Sequence, residues 1–212
     1  MVEETWVQFP TTPQKKIFFY SKASLCSIYN SVMIPFPDKK YNIIYADPPW
    51  SFKNYSKKGE GRNPNQHYLT MGKEDIKQLP VNDIAADNSV LFLWVVNHSL
   101  PLAFEVIDSW GFEYKTMAFV WVKRNIKSEG FFTGLGYWTR GNPELCLLAT
   151  KGKPSRVSKA VKELVIEPRS QHSKKPDRIR NDIVDLCGNL PRIELFARET
   201  AEGWDSWGNE VS

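Results

Sequence analysis

Four residues closing a short apolar run have the types and spacing for chemistry on an amine: Asp47, Pro48, Pro49 and Trp50, within "NIIYADPPWSF" (42–52). Pro48 and Pro49 donate no backbone hydrogen bond and have a fixed φ. Asp47 is biased toward extended geometry by the proline that follows it. The expected result is a stiff ledge that holds one carboxylate and one outward-facing carbonyl at a set spacing, with an aromatic plane beside them. An exocyclic amino group has two N–H donors, which the Asp47 carboxylate and the Pro48 carbonyl can accept while Trp50 lines the attached ring. Such hydrogen bonds restrain the nitrogen lone pair from delocalising into the ring and leave it available for attack. Positioning and electrostatics carry a step of that kind, with no metal and no covalent enzyme intermediate. An Asp-Pro-Pro turn can also simply stiffen a loop, so the tetrapeptide leaves both readings open.

Charge supplies a second signal. The net charge of +4 is spread unevenly: residues 151–180 hold ten Lys/Arg against three acids, and residues 53–62 hold four against one. Basic stretches of this kind attract polyanions through counterion release, although they also serve as solvated loop surface. Loops 53–67 and 124–142 mix Lys53, Lys57, Lys58, Arg62, Lys123, Arg124 and Arg140 with Tyr55, Phe131, Phe132, Tyr137 and Trp138. Cations for phosphates beside aromatics for unstacked bases suggest a nucleic-acid surface. A duplex target would require flipping the base out of the stack.

Those residues need elements to position them. "NIIYA", "VLFLWVV" (90–96), "TMAFVWV" (116–122), "ELCLLAT" (144–150), "ELVIE" (163–167) and "RIELFA" (192–197) read as strands, several apolar throughout. "KEDIKQL" (73–79) reads as a brief helix. Ser99 stands at an N-cap position before Leu102, Ala103, Val106, Ile107 and Trp110 at helical spacing, with Gly111 as the stop. Ile179, Ile183, Leu186 and Cys187 mark a helix ended by Gly188. Strands alternating with helices imply an α/β domain with a mostly parallel sheet and helices on both faces. Ligands bind such sheets beyond the carboxyl ends of strands, which picks out 47–50, 97–98 and 198–201. Residues 1–40, broken by Pro10, Pro13, Pro35 and Pro37, read as an N-terminal extension packed on a domain of residues 41–212.

Several classes recede. No apolar run approaches the roughly 18 residues of a membrane span, and the N-terminus has no secretory signal pattern. Cys26, Cys146 and Cys187 show no zinc-ligand spacing, which fits a reduced, cytoplasmic protein. His98, just past a strand end, makes no metal constellation with His67 and His172. "GLG" at 134–136 sits in a loop and does not read as a dinucleotide fingerprint.

The sequence resembles the MT-A70 family of S-adenosylmethionine-dependent adenine N6-methyltransferases. The likeness begins at "ADPPW" and runs through "HYLTM" (67–71), "LFLWVVNH" (91–98), "GFEYKTMAFVWVK" (111–123), "GNPELCLLATKGKP" (141–154), "SKKPD" (173–177), "IELFAR" (193–198) and "WDSWGN" (204–209). The resemblance implies a circularly ordered, Rossmann-like class I methyltransferase fold, with the catalytic strand early and the cofactor strand late. S-adenosylmethionine is then expected over the end of "RIELFAR". Arg198, Glu199 and Thr200 would border its ribose, Asn209 would bond the ribose hydroxyls, Lys175 would reach the methionine carboxylate, and His98 would lie near the cleft. Tyr68 matches a pocket aromatic that would pin the base opposite Trp50. Glu144 matches a pocket acid near the adenine, while Trp138 and Arg140 would contact the nucleic acid. Lys175 could instead cap a helix start, and Glu144 could be a surface glutamate at a strand start.

Two departures bear on the cofactor contacts. The turn between Arg198 and Trp204 is shorter than in the eukaryotic RNA enzyme and lacks its His-Asn pair, and Glu210 stands where that enzyme has glutamine. The implied activity is methyl transfer to N6 of adenine in nucleic acid. DNA is favoured because the chain is compact and has no zinc-finger extension. RNA, a cytosine amine and a catalytically silent binding subunit are the rival expectations, and the oligomeric state stays open, a homo- or heterodimer included. Silent relatives lose the leading acid, whereas Asp47, Lys175 and Asn209 are present here.

Overall fold

The apolar runs read as near-continuous because the strands they form are covered on both faces. The structure is a computed structural model that describes residues 34–50, 71–170 and 174–211. Most of the N-terminal extension, loop 53–67, Tyr68 and His172 lie outside the described residues. The chain divides into two compact units, Met1–Pro35 and Phe36–Ser212, and the second holds all the described strands and helices.

Its elements are β1 (Tyr41–Ala46), α1 (Lys73–Lys77), α2 (Val81–Ile84), β2 (Ala85–Val95), a 3-10 turn (Asn97–Ser99), α3 (Leu100–Ser109), β3 (Glu113–Arg124), β4 (Glu144–Lys151), β5 (Leu164–Pro168), α4 (Arg178–Cys187), β6 (Arg192–Leu195) and β7 (Asp205–Trp207). The seven strands form one sheet in the order β5-β3-β4-β2-β1-β6-β7. β1 runs parallel to β2 and β6, β6 to β7, and β3 to β5. β4 runs antiparallel to both of its neighbours, β2 and β3.

Strand alternation sorts side chains onto two cores. On one face Leu91, Leu93 and Val95 of β2 pack with Ile76 of α1 and with Ala103, Val106 and Ile107 of α3. On the other, Phe92 and Trp94 pack with Ile43 and with Ile179, Ile183 and Cys187 of α4. Helices therefore cover both faces. α3 is further tied down by Trp110, whose indole N–H donates to the Ile76 carbonyl at 2.9 Å. It ends at Gly111, whose φ of 78° suits glycine. Ser99 holds the N-cap position of α3, but its side chain makes no capping hydrogen bond; the preceding 3-10 turn enters the helix directly.

The architecture is the Rossmann-like α/β arrangement that the resemblance implies. Two elements carried no sequence signal of their own: α2, which is one turn long, and β7, three residues in "WDSW". β7 extends the sheet beyond β6, so "RIEL" is the penultimate strand and not the last. At the carboxyl edge the chain emerges at Asp47, Asn97, Phe196 and Gly208. Because β4 is reversed, its first residue, Glu144, lies on that same edge.

Leu93 sits fully buried on β2, between β4 and β1. Leu93→Ala should lower unfolding stability by about 2–5 kcal/mol. The expected readout is a lower urea midpoint at unchanged m-value.

Candidate active site at the carboxyl edge

β1 delivers Asp47 to the sheet edge, and the segment leading into α4 delivers Lys175 to the same point. The Lys175 Nζ lies 2.5 Å from Asp47 Oδ2 and 3.0 Å from Glu144 Oε2. The other Glu144 oxygen, Oε1, accepts from Lys123 Nζ at 2.5 Å. Lys123 reaches it because β3 and β4 are antiparallel, with Trp121 opposite Glu144. Two ammonium groups and two carboxylates thus form one neutral cluster. Lys175 and Glu144 retain only 8% and 12% side-chain exposure, whereas Asp47 retains 30% and is the member most open to solvent.

An aromatic floor supports the cluster. The Lys175 and Lys123 ammonium groups stand 5.4 Å and 5.1 Å from the ring centroids of Trp94 and Trp121, within cation–π range. Trp94 is fixed in turn: its indole N–H donates to the Tyr45 hydroxyl at 2.8 Å, and its carbonyl accepts the Trp50 indole N–H at 2.9 Å. Burial raises the pKa of Glu144, but Lys175 and then Lys123 outweigh it and hold the carboxyl at about 2. Burial disfavours the charged form of Lys175, yet Asp47 and Glu144 keep it more firmly protonated than a free lysine. Asp47 moves the other way: burial, reinforced by Glu144, outweighs Lys175 and raises its pKa.

The ledge differs from expectation in two respects. The Pro48 carbonyl is not simply outward-facing, since it accepts the Trp50 backbone N–H at 2.8 Å; a carbonyl keeps a second lone pair for a ligand. Trp50 does not stand free as a ring wall either. It is 7% exposed and packed in the core, because its indole N–H bonds to the Trp94 carbonyl. The Pro49 carbonyl accepts from Met71 N–H at 3.3 Å, pinning the far side of the ledge.

At the end of β6 the backbone turns through Phe196, which has φ 61°, a left-handed conformation that costs a non-glycine residue. The Ala197 N–H donates to the Trp207 carbonyl at 3.0 Å. A Cβ on Gly208 would sit 2.4 Å from the Ala197 oxygen, so only glycine permits this crossing. Arg198 Nε bonds Glu210 Oε1 at 3.0 Å, a contact that the Glu210 carboxylate makes an ion pair. Glu199 is 2.9 Å from Lys174 Nζ. Arg180 grips Glu194 with two bonds of 2.7 and 3.2 Å and ties α4 to β6. Thr200 and Asn209 are exposed near this turn, and His98 is exposed on the 3-10 turn after β2.

The loop between β3 and β4 is held by Asn142. Its Oδ1 accepts the Lys123 N–H at 2.9 Å and its Nδ2 donates to the Lys123 carbonyl at 2.9 Å. Beyond this clip Trp138 is 90% and Tyr137 77% exposed. Arg140 lines an open cavity of about 370 Å³ with Phe131, Phe132 and Pro143. Trp138 and Arg140 are therefore carried to the reacting edge without joining the ion cluster.

Of the residues singled out in the sequence, Asp47, Lys175 and Glu144 are brought together, and Glu144 is a buried partner and not a surface strand start. Arg198, Glu199 and Thr200 lie on the turn after β6, beside Asn209 on the turn after β7. Lys123, read only as a basic loop residue, proves to belong to the cluster, and Trp94 and Tyr45 form its floor. Their only sequence signals were a lysine closing an apolar strand and polar-tipped aromatics inside aliphatic runs, which need buried partners.

The MT-A70 family pattern matches residues 41–210. The chain is 35% identical over 192 residues to the type II methyltransferase M.MunI of Mycoplasma sp, covering 82% of this chain and 79% of that protein. It is 30% identical over 177 residues to the N(6)-adenosine-methyltransferase catalytic subunit METTL3 of Homo sapiens, covering 81% of this chain but 28% of that protein. A putative N(6)-adenosine-methyltransferase MT-A70-like protein of Medicago truncatula is 29% identical, with 82% and 27% covered. The chain thus spans about a quarter of the N(6)-adenosine relatives and about four fifths of the Mycoplasma protein. Fold and site edge define a Rossmann-like methyltransferase. The chain belongs to the MT-A70 family.

Because the Glu144 pKa lies below its unfolded value, its stabilisation is present above about pH 4.5 and is lost as pH falls toward 2. Glu144→Gln should be less stable than the parent by on the order of 3 kcal/mol near neutrality. That gap should close as denaturant unfolding is repeated from pH 5 down to pH 2.

Proposed function

We propose that this chain transfers a methyl group from S-adenosylmethionine to N6 of adenine in DNA, with residues 41–212 carrying the reaction and residues 1–40 forming an N-terminal extension. The observation that carries the reading is Asp47: an acid on a proline-stiffened ledge, fixed by a buried lysine, and still the most open member of its cluster.

The residues present suit the cofactor's mixed charges. Acids at the edge match an ammonium and a sulfonium, Arg198 matches a carboxylate, and Asn209 with the acids of the β6 and β7 turns matches sugar hydroxyls, while Lys175, expected on the methionine carboxylate, is engaged by Asp47 and Glu144. S-adenosylmethionine supplies an electrophilic methyl group when bound.

The chain's own residues do the rest. Asp47 and the second lone pair of the Pro48 carbonyl accept the two N–H bonds of the amine. Lys175, on Asp47 Oδ2, keeps the carboxylate from swinging away. Glu144 and Lys123 hold Lys175 in turn. As the nitrogen gains its methyl group it must release a proton. The raised proton affinity of Asp47 makes its carboxylate a better acceptor than an ordinary aspartate. Tyr68 is the candidate to stack on the base, and Trp138 with Arg140 to engage neighbouring nucleotides and phosphates.

Assembly of Asp47 and Lys175 at 2.5 Å supports an enzyme over a silent binding subunit. The relative matched along most of both chains carries the type II designation, which supports DNA over RNA.

Asp47→Asn should keep the shape of the ledge and lower kcat by about 10²–10³-fold, with little change in KM for DNA, in a labelled-methyl incorporation assay. Nucleic acids from cells expressing the protein, digested to nucleosides and weighed by mass spectrometry, should carry N6-methyladenine in DNA. The mark appearing in RNA alone would overturn the choice of substrate, and N4-methylcytosine would overturn the base.

A further inference from the structure

The basic run 151–180 is split by the fold: in its later part Lys174 and Lys175 lead into α4 beside the site, and Arg178 and Arg180 lie on α4 itself. The first half forms a coil between β4 and β5. Lys151 of β4 pairs with Ser89 near the start of β2, so the coil leaves from the amino edge of the sheet. It enters β5 at Leu164, which is in register with Val120. Val120 is opposite Leu145, and Leu145 is opposite Val95, the last residue of β2. The coil therefore climbs from the level of Ser89 to that of Val95 and arrives at the reacting edge. The rise from Ser89 to Val95 is roughly 20 Å at about 3.3 Å per residue, or about six base pairs of duplex.

Along this climb Lys153, Arg156, Lys159 and Lys162 recur at every third residue, and residues 151–162 contain no acid. All four are exposed, and none has an acidic partner among the described residues. The coil that carries them is pinned. Lys153 N–H donates to Asn88 Oδ1 at 2.7 Å, and Val157 N–H to the Leu186 carbonyl at 2.8 Å. Gly152, at φ 67°, lets the chain pass the Asp87 carbonyl. Facing it, Asp182 of α4 is already held by Arg178 at 3.0 Å, which leaves Asp185 as the acid lining the groove beside the coil. A row of exposed cations on a pinned coil is a surface that a polyanion binds by releasing counterions. The coil has no aromatic, and Val157 is its one large exposed apolar side chain. A protein partner would need an apolar interface core, whereas a phosphate backbone needs only cations.

We infer that Lys153, Arg156, Lys159 and Lys162 form a sequence-independent phosphate track that holds the nucleic-acid substrate on one side of the target adenine. The inference rests on the reading that the chain acts on nucleic acid. A single track makes the enzyme's response to substrate length one-sided.

The test uses the full chain and the variant K153A/R156A/K159A/K162A. The probes are a short duplex holding the target adenine and the same duplex lengthened by ten base pairs on the 5′ or the 3′ side alone. For the parent, extension on one side only should lower KM at least fivefold. The variant should lose that gain while keeping kcat on the short duplex and an unchanged thermal midpoint. Its plot of log affinity against log salt on the longer duplex should flatten by about 3.6, at roughly 0.9 for each of the four lost phosphate contacts. K153R/K159R/K162R, which keeps the charges, should behave as the parent. An unchanged salt slope, or equal gains from both extensions in parent and variant alike, overturns the track while methylation of the short duplex leaves the activity standing. No methylation and no binding of any probe by the parent overturns both.

Discussion

A lysine ammonium sealed between two carboxylates is the constraint around which this domain is arranged. Removing those charges from water is costly, and the attraction repays it only when every member is matched. Asp47 and Glu144 against Lys175 alone would leave an excess negative charge; Lys123 cancels it. The four groups come from the end of β1, the end of β3, the start of β4 and the lead-in to α4. Each of those elements must end within a hydrogen bond of the same place. The reversal of β4 meets that demand, since a parallel strand there would put Glu144 on the opposite edge.

The same arrangement explains how reactivity is divided between two acids of similar chemistry. Glu144 has both oxygens occupied by ammonium groups and is held ionised far below the ordinary carboxylate range. Asp47 shares one oxygen with Lys175, is more open, and binds its proton more readily than a free aspartate. One acid supports and the other is left to work. The floor of Trp94 and Trp121 makes the division durable, because each indole N–H in it is bonded, to the Tyr45 hydroxyl and to the Glu167 carbonyl.

Much of this was legible in the sequence, and the part that was not has a physical reason. β1, β2 and α3 announced themselves through apolar continuity, helical spacing and Gly111. Asp47 was legible because two prolines after an acid leave little conformational freedom. Lys123 was not legible as a partner of Glu144, because register across an antiparallel pair is invisible to local pattern. Trp50 misled for a similar reason. Beside an amine-binding acid it reads as a ring wall, but its indole N–H needed an acceptor and found one on Trp94 in the core. β7 escaped notice because three residues are too few for alternation to register, and Phe196 because no composition rule anticipates a left-handed phenylalanine.

The hairpin-like pairing of β3 with β4 also bears on how the domain comes together. Lys123 and Glu144 are 21 residues apart along the chain, whereas Lys175 and Asp47 are 128 apart. Closing the longer loop costs roughly 1.6 kcal/mol more in chain entropy. The supporting half of the cluster is thus the inexpensive local half, and the reactive half waits for chain ends brought from afar. A partly folded molecule can possess the scaffold of its chemistry while lacking the chemistry itself, and a growing polypeptide stays inert until Lys175 has been made and has met Asp47.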